Sequence, residues 1–111
     1  MKTVVIINSE RFGAGDTDLG DKLIGSFLRK IWAQEVKPDT MIFYHAGVKL
    51  LTKDSQVLDA MEGLAKAGVD LVACGTCIGY YDVRDEVLFG RVSDMAEIVG
   101  LIISADKVVT P

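Results

Sequence analysis

Both cysteines of the chain lie in one segment, Cys74-Gly-Thr-Cys77, directly after the aliphatic run Val69 to Ala73. The thiolate is the nucleophilic form of cysteine, and it is favoured where a strand gives way to a loop or helix whose N–H groups point at the sulfur. Two thiols three residues apart in that position point to thiol chemistry. Gly75 allows the backbone to approach its neighbours closely, and Thr76 completes the segment. Two plainer readings stand beside this one. A structural zinc site would need two further ligands, and His45 is the single histidine, so one chain would have to recruit a carboxylate to complete it. Inert, buried thiols are also common, since free cysteine is among the most buried residue types. A thioredoxin-like layout is excluded, because there the motif follows an early strand with a proline packed opposite, whereas here it comes late and the prolines are Pro38 and Pro111.

Charged and polar partners for the sulfur are sought on the neighbouring loops. His45 and Lys49 follow the second apolar run, where either can lower the pKa of a nearby thiol by its charge. Asn8 closes the first apolar run, Arg84 lies downstream of the motif, and Tyr80 and Tyr81 either close over it or pack beside it. Each of these also has an ordinary reading as a solvated surface group. The Gly-rich turn Phe12 to Gly20 sits where phosphates are often cradled. Asp16 and Asp18 would meet an incoming phosphate with carboxylates, and Gly13, Gly15 and Gly20 lack the spacing of a dinucleotide fingerprint. No cofactor and no metal is therefore expected, and no Ser-His-Asp constellation, catalytic carboxylate pair or P-loop is visible.

These residues need a scaffold, and the hydrophobic pattern supplies one. Val4 to Ile7 is a continuous β-branched run, as expected of a strand buried on both faces. Helical spacing follows at Leu19, Leu23, Ile24, Phe27, Leu28, Ile31 and Trp32, with Asp16, Thr17 and Asp18 suited to its first turn. Met41 to Tyr44 predicts a second strand. Val57, Leu58, Met61, Leu64 and Ala65 predict the inward face of a second helix, capped by Ser55 and stopped by Gly68. Val69 to Ala73 is the third strand. The segment from Ile78 to Glu86 is mixed, and Val87 to Phe89 reads as a short strand before a turn at Gly90. A last helix begins at Ser93 or Asp94 with Met95, Ile98, Val99 and Ile102 inward, and Lys107 to Val109 closes the chain as an edge strand. Strands alternating with helices predict a three-layer α/β/α sandwich around a mostly parallel sheet of about five strands, a flavodoxin- or Rossmann-like layout. Ligand chemistry in such sheets collects at the carboxyl ends of the strands, so Asn8, His45 to Lys49 and Cys74 to Tyr81 are expected on one rim.

Composition narrows the possibilities further. The 111 residues fit a single domain, 1–111, and with 50% apolar residues it can sustain a core without disulfides. Twelve basic against sixteen acidic residues leave a net charge of -4, which removes the counterion-release attraction that nucleic-acid binders use. Neither a nucleic-acid partner nor a membrane span is expected, the apolar runs being far shorter than the ~20 residues a span needs. The N-terminal aliphatic run is too short for a secretory signal, and a cytoplasmic location with reduced thiols is expected. A mean hydropathy of +0.30 is high for so small a chain and points to apolar surface shared between subunits.

Five stretches occur together in order: Ile-Asn-Ser after the first strand with Gly-Ala-Gly-Asp-Thr-Asp-Leu-Gly, Ala46-Gly-Val-Lys-Leu50, Ala73-Cys-Gly-Thr-Cys77, Gly90-Arg-Val-Ser-Asp-Met95 and the closing Ala-Asp-Lys-Val-Val. In this combination the chain resembles the DsrE/DsrF-like family, and within it most nearly the C-terminal domain of YedF-type proteins linked to selenium metabolism. The resemblance implies a DsrE/DsrF-like fold, small cytoplasmic subunits forming trimers or hexamers, and a persulfide on the cysteine at the end of the corresponding strand, here Cys74. Cys77 is typical of the YedF-like branch, whereas the TusA-like domain usual at the N-terminus of that branch does not precede this domain in the sequence.

The leading expectation is a sulfur-relay, or selenium-relay, carrier with sulfurtransferase-like behaviour. In it a partly exposed Cys74 thiolate accepts the chalcogen from a donor and passes it to a protein such as a TusA-like carrier, with Cys77 able to resolve the persulfide. The alternatives are a non-catalytic assembly or regulatory subunit with slow, buried thiols, and a CxxC dithiol redox protein. Cys74 sealed under hydrocarbon would remove the transfer role expected of it and leave only the architecture standing.

Overall fold

A computed structural model describes all of residues 1–111. Its strands are β1 (Thr3–Ile7), β2 (Thr40–Phe43), β3 (Asp70–Cys74), β4 (Arg91–Ser93) and β5 (Lys107–Val109), and its helices α1 (Thr17–Ala33), α2 (Leu58–Lys66), α3 (Gly75–Tyr81) and α4 (Met95–Ser104). Two 3-10 helices, η1 (His45–Leu51) and η2 (Arg84–Glu86), complete the regular structure. The sheet runs in the order β4-β3-β2-β1-β5 and every pairing is parallel. From β1 to β4 the chain steps across the sheet in one direction, and the return to β5 reverses it. Right-handed crossovers then place α1 to α3 on one face and α4 on the other. The core divides along the same line. Val5, Ile7, Met41, Phe43, Leu71 and Ala73 pack against Ile24 and Leu28 of α1, Met61 and Leu64 of α2 and Ile78 of α3. Their strand neighbours Val4, Ile6, Ile42, Val72 and Cys74 point the other way and pack with Ile98 of α4. The three-layer sandwich expected from the pattern is the fold observed.

Punctuation read from the sequence acts as expected at two helix boundaries. Asp94 caps α4 by accepting from the Glu97 N–H at 2.9 Å, and Gly68, at φ +92, takes the left-handed turn after α2 that a side chain would disfavour. Val87 to Phe89 departs from expectation. It forms no sheet strand, only an isolated antiparallel bridge from Val87 to Thr52, and the ladder strand is Arg91–Ser93. Gly90 decides this. It turns at φ +84 so close to β3 that a Cβ there would lie 2.7 Å from the Leu71 carbonyl oxygen.

Arg91 then pins the edge strand. Its guanidinium donates to both carboxylate oxygens of Asp70 at 2.9 Å and to both of Glu97 at 2.7 and 2.8 Å. One side chain thereby ties β4 to β3 and to the first turn of α4. Hydrogen bonds from Arg91 first, and from the Ser93 hydroxyl, hold the Glu97 carboxyl down from the ordinary 4.5 to about 2. Because the folded-state value lies below the unfolded one, this stabilisation is present above pH 4.5 and is lost as pH falls toward 2. In Arg91→Ala the Glu97 carboxyl is expected to titrate back in the ordinary glutamate range, as read by the pH dependence of its side-chain carbon chemical shift. An unchanged midpoint would show that Arg91 is not what holds it.

The face of α4 also differs from expectation. Ile98 is fully buried, yet Met95 and Val99 are 51% and 49% exposed, with Ile103 at 79%. The helix is apolar around most of its circumference, so hydrophobic periodicity has no contrast with which to select the inward side. Leu19 and Leu23 of α1 likewise face solvent while Ile24 and Leu28 are buried.

Candidate functional site

The carboxyl ends of β1, β2 and β3 open onto one edge, and there Asn8, Tyr44, His45, Cys77 and Met95 line an open dish of about 480 Å³. Asn8 comes from the exit of β1, Tyr44 and His45 from the exit of β2, Cys77 from the first turn of α3 and Met95 from the start of α4. The depression is largely apolar and holds one thiol.

The two cysteines have unlike surroundings. Cys74 ends β3 and precedes the first residue of α3, is 1% exposed, and packs in the cluster of Val4, Ile6, Ile42, Val72 and Ile98. The expectation of an open Cys74 thiolate is therefore corrected: strand alternation puts Cys74 on the same face as Val72, and α4 covers that face. Cys77, nearly one helical turn further on, is free and partly exposed, and faces the dish. Its Sγ accepts the backbone N–H of His45 at 3.0 Å. Burial is the largest influence on the Cys77 thiol and pushes its pKa above the ordinary value, with the neighbouring Cys74 adding to the rise and the His45 amide opposing it.

The remaining predicted site residues divide into those near this sulfur and those elsewhere. Asn8 and His45 line the dish, and His45 acts on Cys77 through its peptide group. Gly75 stands so close to β4 that a Cβ would lie 2.9 Å from the Ser93 carbonyl oxygen, which is why the start of α3 accommodates glycine. Thr76 is exposed beside it. Lys49 does not line the dish. Its Nζ lies 4.3 Å from the centre of the Tyr81 ring and 3.9 Å from a Glu10 carboxylate oxygen, a cation–π contact and an ion pair. Arg84 is exposed on η2, away from the dish-lining residues. Sequence reasoning passed over Tyr44 and Met95 as lining residues, although each adjoins a feature it recognised: Tyr44 precedes His45, and Met95 follows the Asp94 cap. A second cleft of about 310 Å³, containing Glu10, Arg11, Asp21, Lys49 and Glu86, contains no cysteine. No group of three or more His, Cys, Asp or Glu side chains is placed to hold a metal ion, and no helix is long and apolar enough to cross a membrane.

A five-stranded parallel sheet with helices on both faces defines a small three-layer α/β domain, and in open sheets of this kind ligands bind outside the carboxyl ends of the strands. The protein belongs to the DsrE/DsrF-like family, whose model matches residues 1–111, and that family is associated with sulfur relay. Among solved structures, the chain is similar to the ychN protein from E. coli, with 17% identity, a TM-score of 0.66, and 99% of this chain and 98% of that one covered. It is also similar to MTH1491, a protein of unknown function from Methanobacterium thermoautotrophicum, with 23% identity, a TM-score of 0.72 and the same coverage. A third structure, BT1422 from Bacteroides thetaiotaomicron, described as a conserved protein of unknown function, shares 16% identity at a TM-score of 0.70, with 99% of this chain and 94% of that one covered. These likenesses are likenesses of fold. No curated protein matches the chain.

Proposed function

We propose that this protein is a sulfur-relay carrier in which Cys77 is the sulfur that meets donor and acceptor, and Cys74 is the thiol held in reserve behind it. The observation that carries this reading is the unequal exposure of the pair: the thiol open to a visitor is Cys77, while Cys74 is sealed under α4. In the loading step the Cys77 thiolate attacks the terminal sulfur of a donor persulfide. A new S–S bond forms at Cys77, the donor S–S bond breaks, and its electron pair leaves with the donor thiolate. In the transfer step an acceptor thiolate attacks the terminal sulfur, and Cys77 becomes the leaving thiolate. If the chain instead releases its cargo, the Cys74 thiolate attacks Cys77 Sγ, hydrosulfide departs, and the resulting disulfide is reset by an external dithiol. Selenium in place of sulfur would follow the same steps.

The raised pKa of Cys77 gives this chemistry a pH dependence. The thiol is the major form at neutral pH, so loading speeds up as pH rises toward the thiol's pKa. The decisive measurement is mass spectrometry of the native protein after incubation with a cysteine desulfurase and cysteine. A mass gain of one sulfur on the Cys77 peptide supports the reading, and an unmodified peptide overturns it.

A non-catalytic assembly subunit is the second reading, favoured by the burial of Cys74 and the upward shift of Cys77. It requires that the native protein react with a small thiol reagent no faster than an inert buried thiol. In either case we infer a homo-oligomer, with trimers or hexamers expected from the family resemblance. Met95, Val99 and Ile103 form an exposed apolar stripe at four-residue spacing on α4, the kind of surface a second copy would cover. Sedimentation equilibrium is expected to return a multiple of the 12.0 kDa chain mass, and a monomer at micromolar concentration would remove this part of the proposal.

A further inference from the structure

His45 is one of two non-glycine residues with a positive φ, at 54°. That region is uncommon for residues carrying a Cβ and unfavourable for β-branched ones. The conformation is imposed by its neighbours. The Tyr44 N–H donates to the Ile7 carbonyl at 3.2 Å and the Gly47 N–H to the Tyr44 carbonyl at 3.1 Å. Gly47 lies so close against β1 that an added Cβ would stand 2.3 Å from the Ile7 carbonyl oxygen. The chain entering η1 therefore has little room to relax, and its His45 N–H is left pointing at Cys77 Sγ.

The surroundings of that sulfur offer few other sources of positive charge. The titratable groups lining the dish besides Cys77 are the Tyr44 phenol and the His45 imidazole. Cys74 approaches from the end of β3. Tyr81 lies one turn along α3 with the Lys49 ammonium resting over its ring, and the Asp94 carboxylate at the start of α4 is engaged by the Glu97 N–H. Besides burial, the groups that move the Cys77 thiol's pKa are the His45 amide and Cys74, and the amide is the one that favours the charged form.

We propose that the His45 peptide N–H, held in a left-handed turn, is the charge-stabilising donor for sulfur at Cys77, and that the His45 side chain serves by tolerating this conformation and not by carrying a proton. The proposal rests on Cys77 as the transfer sulfur. When an acceptor thiolate takes the terminal sulfur of the Cys77 persulfide, the S–S bond breaks and its electron pair returns to Cys77 Sγ. Negative charge thus develops at the atom the His45 amide already faces, the arrangement by which a fixed backbone dipole lowers a barrier without reorganising.

The test is a titration of Cys77 in a Cys74→Ala background, where a single thiol reports through its ultraviolet thiolate absorbance. His45→Gly and His45→Asn remove the imidazole but accept a positive φ, and both are expected to keep the midpoint of the parent. His45→Val disfavours that φ, and is expected to leave roughly tenfold less thiolate at a given pH, the size of a lost hydrogen bond to a charged group. A shift in the Gly or Asn variant as large as that in the Val variant would assign the effect to the imidazole and overturn the proposal, as would a folded Val variant with an unshifted midpoint. Should the Val variant fail to fold, unshifted Gly and Asn midpoints support the proposal and shifted ones sink it. Persulfide loading is measured separately, so a protein that shows the expected midpoints but never loads sulfur would refute the carrier function and leave the role of the amide standing.

Discussion

Replacing Cys77 with serine is expected to abolish persulfide uptake, whereas Cys74→Ala, which removes a group that raises the Cys77 pKa, is expected to load sulfur at least as fast as the parent and to lose only the release of sulfide. The asymmetry follows from access. A donor persulfide must bring its terminal sulfur in line with the attacking thiolate, and the open dish of Asn8, Tyr44, His45 and Met95 allows this at Cys77. At Cys74 the same approach would require α4 to lift from the sheet, because Ile98 and the strand residues Val4, Ile6, Ile42 and Val72 share its cluster. Serine keeps the size and hydrogen-bonding shape of Cys77 but is not ionised near neutral pH, so the nucleophile is lost with little structural change. Uptake is expected to fall below detection, because no nucleophile remains at the open position. The measurement is the rate of sulfur-34 incorporation from labelled cysteine and a desulfurase. Full labelling of Cys77→Ser, or a silent Cys74→Ala, would return the transfer role to Cys74 and imply that the α4 face opens in solution.

Gly47→Ala is expected to have the largest effect on stability of any single methyl added near the site. The new Cβ would stand 2.3 Å from the Ile7 carbonyl oxygen and 3.0 Å from its carbon. Both atoms belong to the backbone of β1, where Ile7 pairs with Phe43 of β2, and cannot swing aside as a side chain would. The entry to η1 must then lift away, disturbing the Tyr44-to-Ile7 hydrogen bond and carrying the His45 amide off Cys77. Overpacking of this kind costs about 2 to 3 kcal/mol, which in a domain of this size corresponds to a fall in Tm of roughly 10 to 20 °C. Thermal unfolding followed by circular dichroism checks the magnitude. A change within about 0.5 kcal/mol, the range of neutral surface substitutions, would show that η1 is free to shift. Gly47 would then have no part in holding the left-handed turn.

Much of the framework was legible in the residues themselves. The aliphatic runs before Asn8, His45 and Cys74 became β1, β2 and β3 because a strand buried on both faces needs continuous hydrocarbon. Asp94 and Gly68 marked helix boundaries because their preferences come from their own chemistry: a carboxylate that accepts a first-turn N–H, and a backbone that reaches positive φ without strain. The run Val87 to Phe89 misled for a related reason. Apolar character reports burial but not pairing, and it was the Gly90 turn and the Arg91 clamp on Asp70 and Glu97 that set the edge strand.

Most of the chain's order of elements and its family could be read from local pattern, the helix α3 and the position of β4 excepted, because strand and helix periods and the motif around the two cysteines are properties of neighbouring residues. Which cysteine meets solvent could not. Cys74 and Cys77 are chemically identical and nearly one turn apart, and both sides of β3 are apolar, so no alternation of polar and apolar residues marks an open face. Only the packing of α4 over Val72 and Cys74, and of the His45 turn against Cys77, distinguishes them. Those contacts join residues more than twenty positions apart, and their geometry exists only once the sheet has formed.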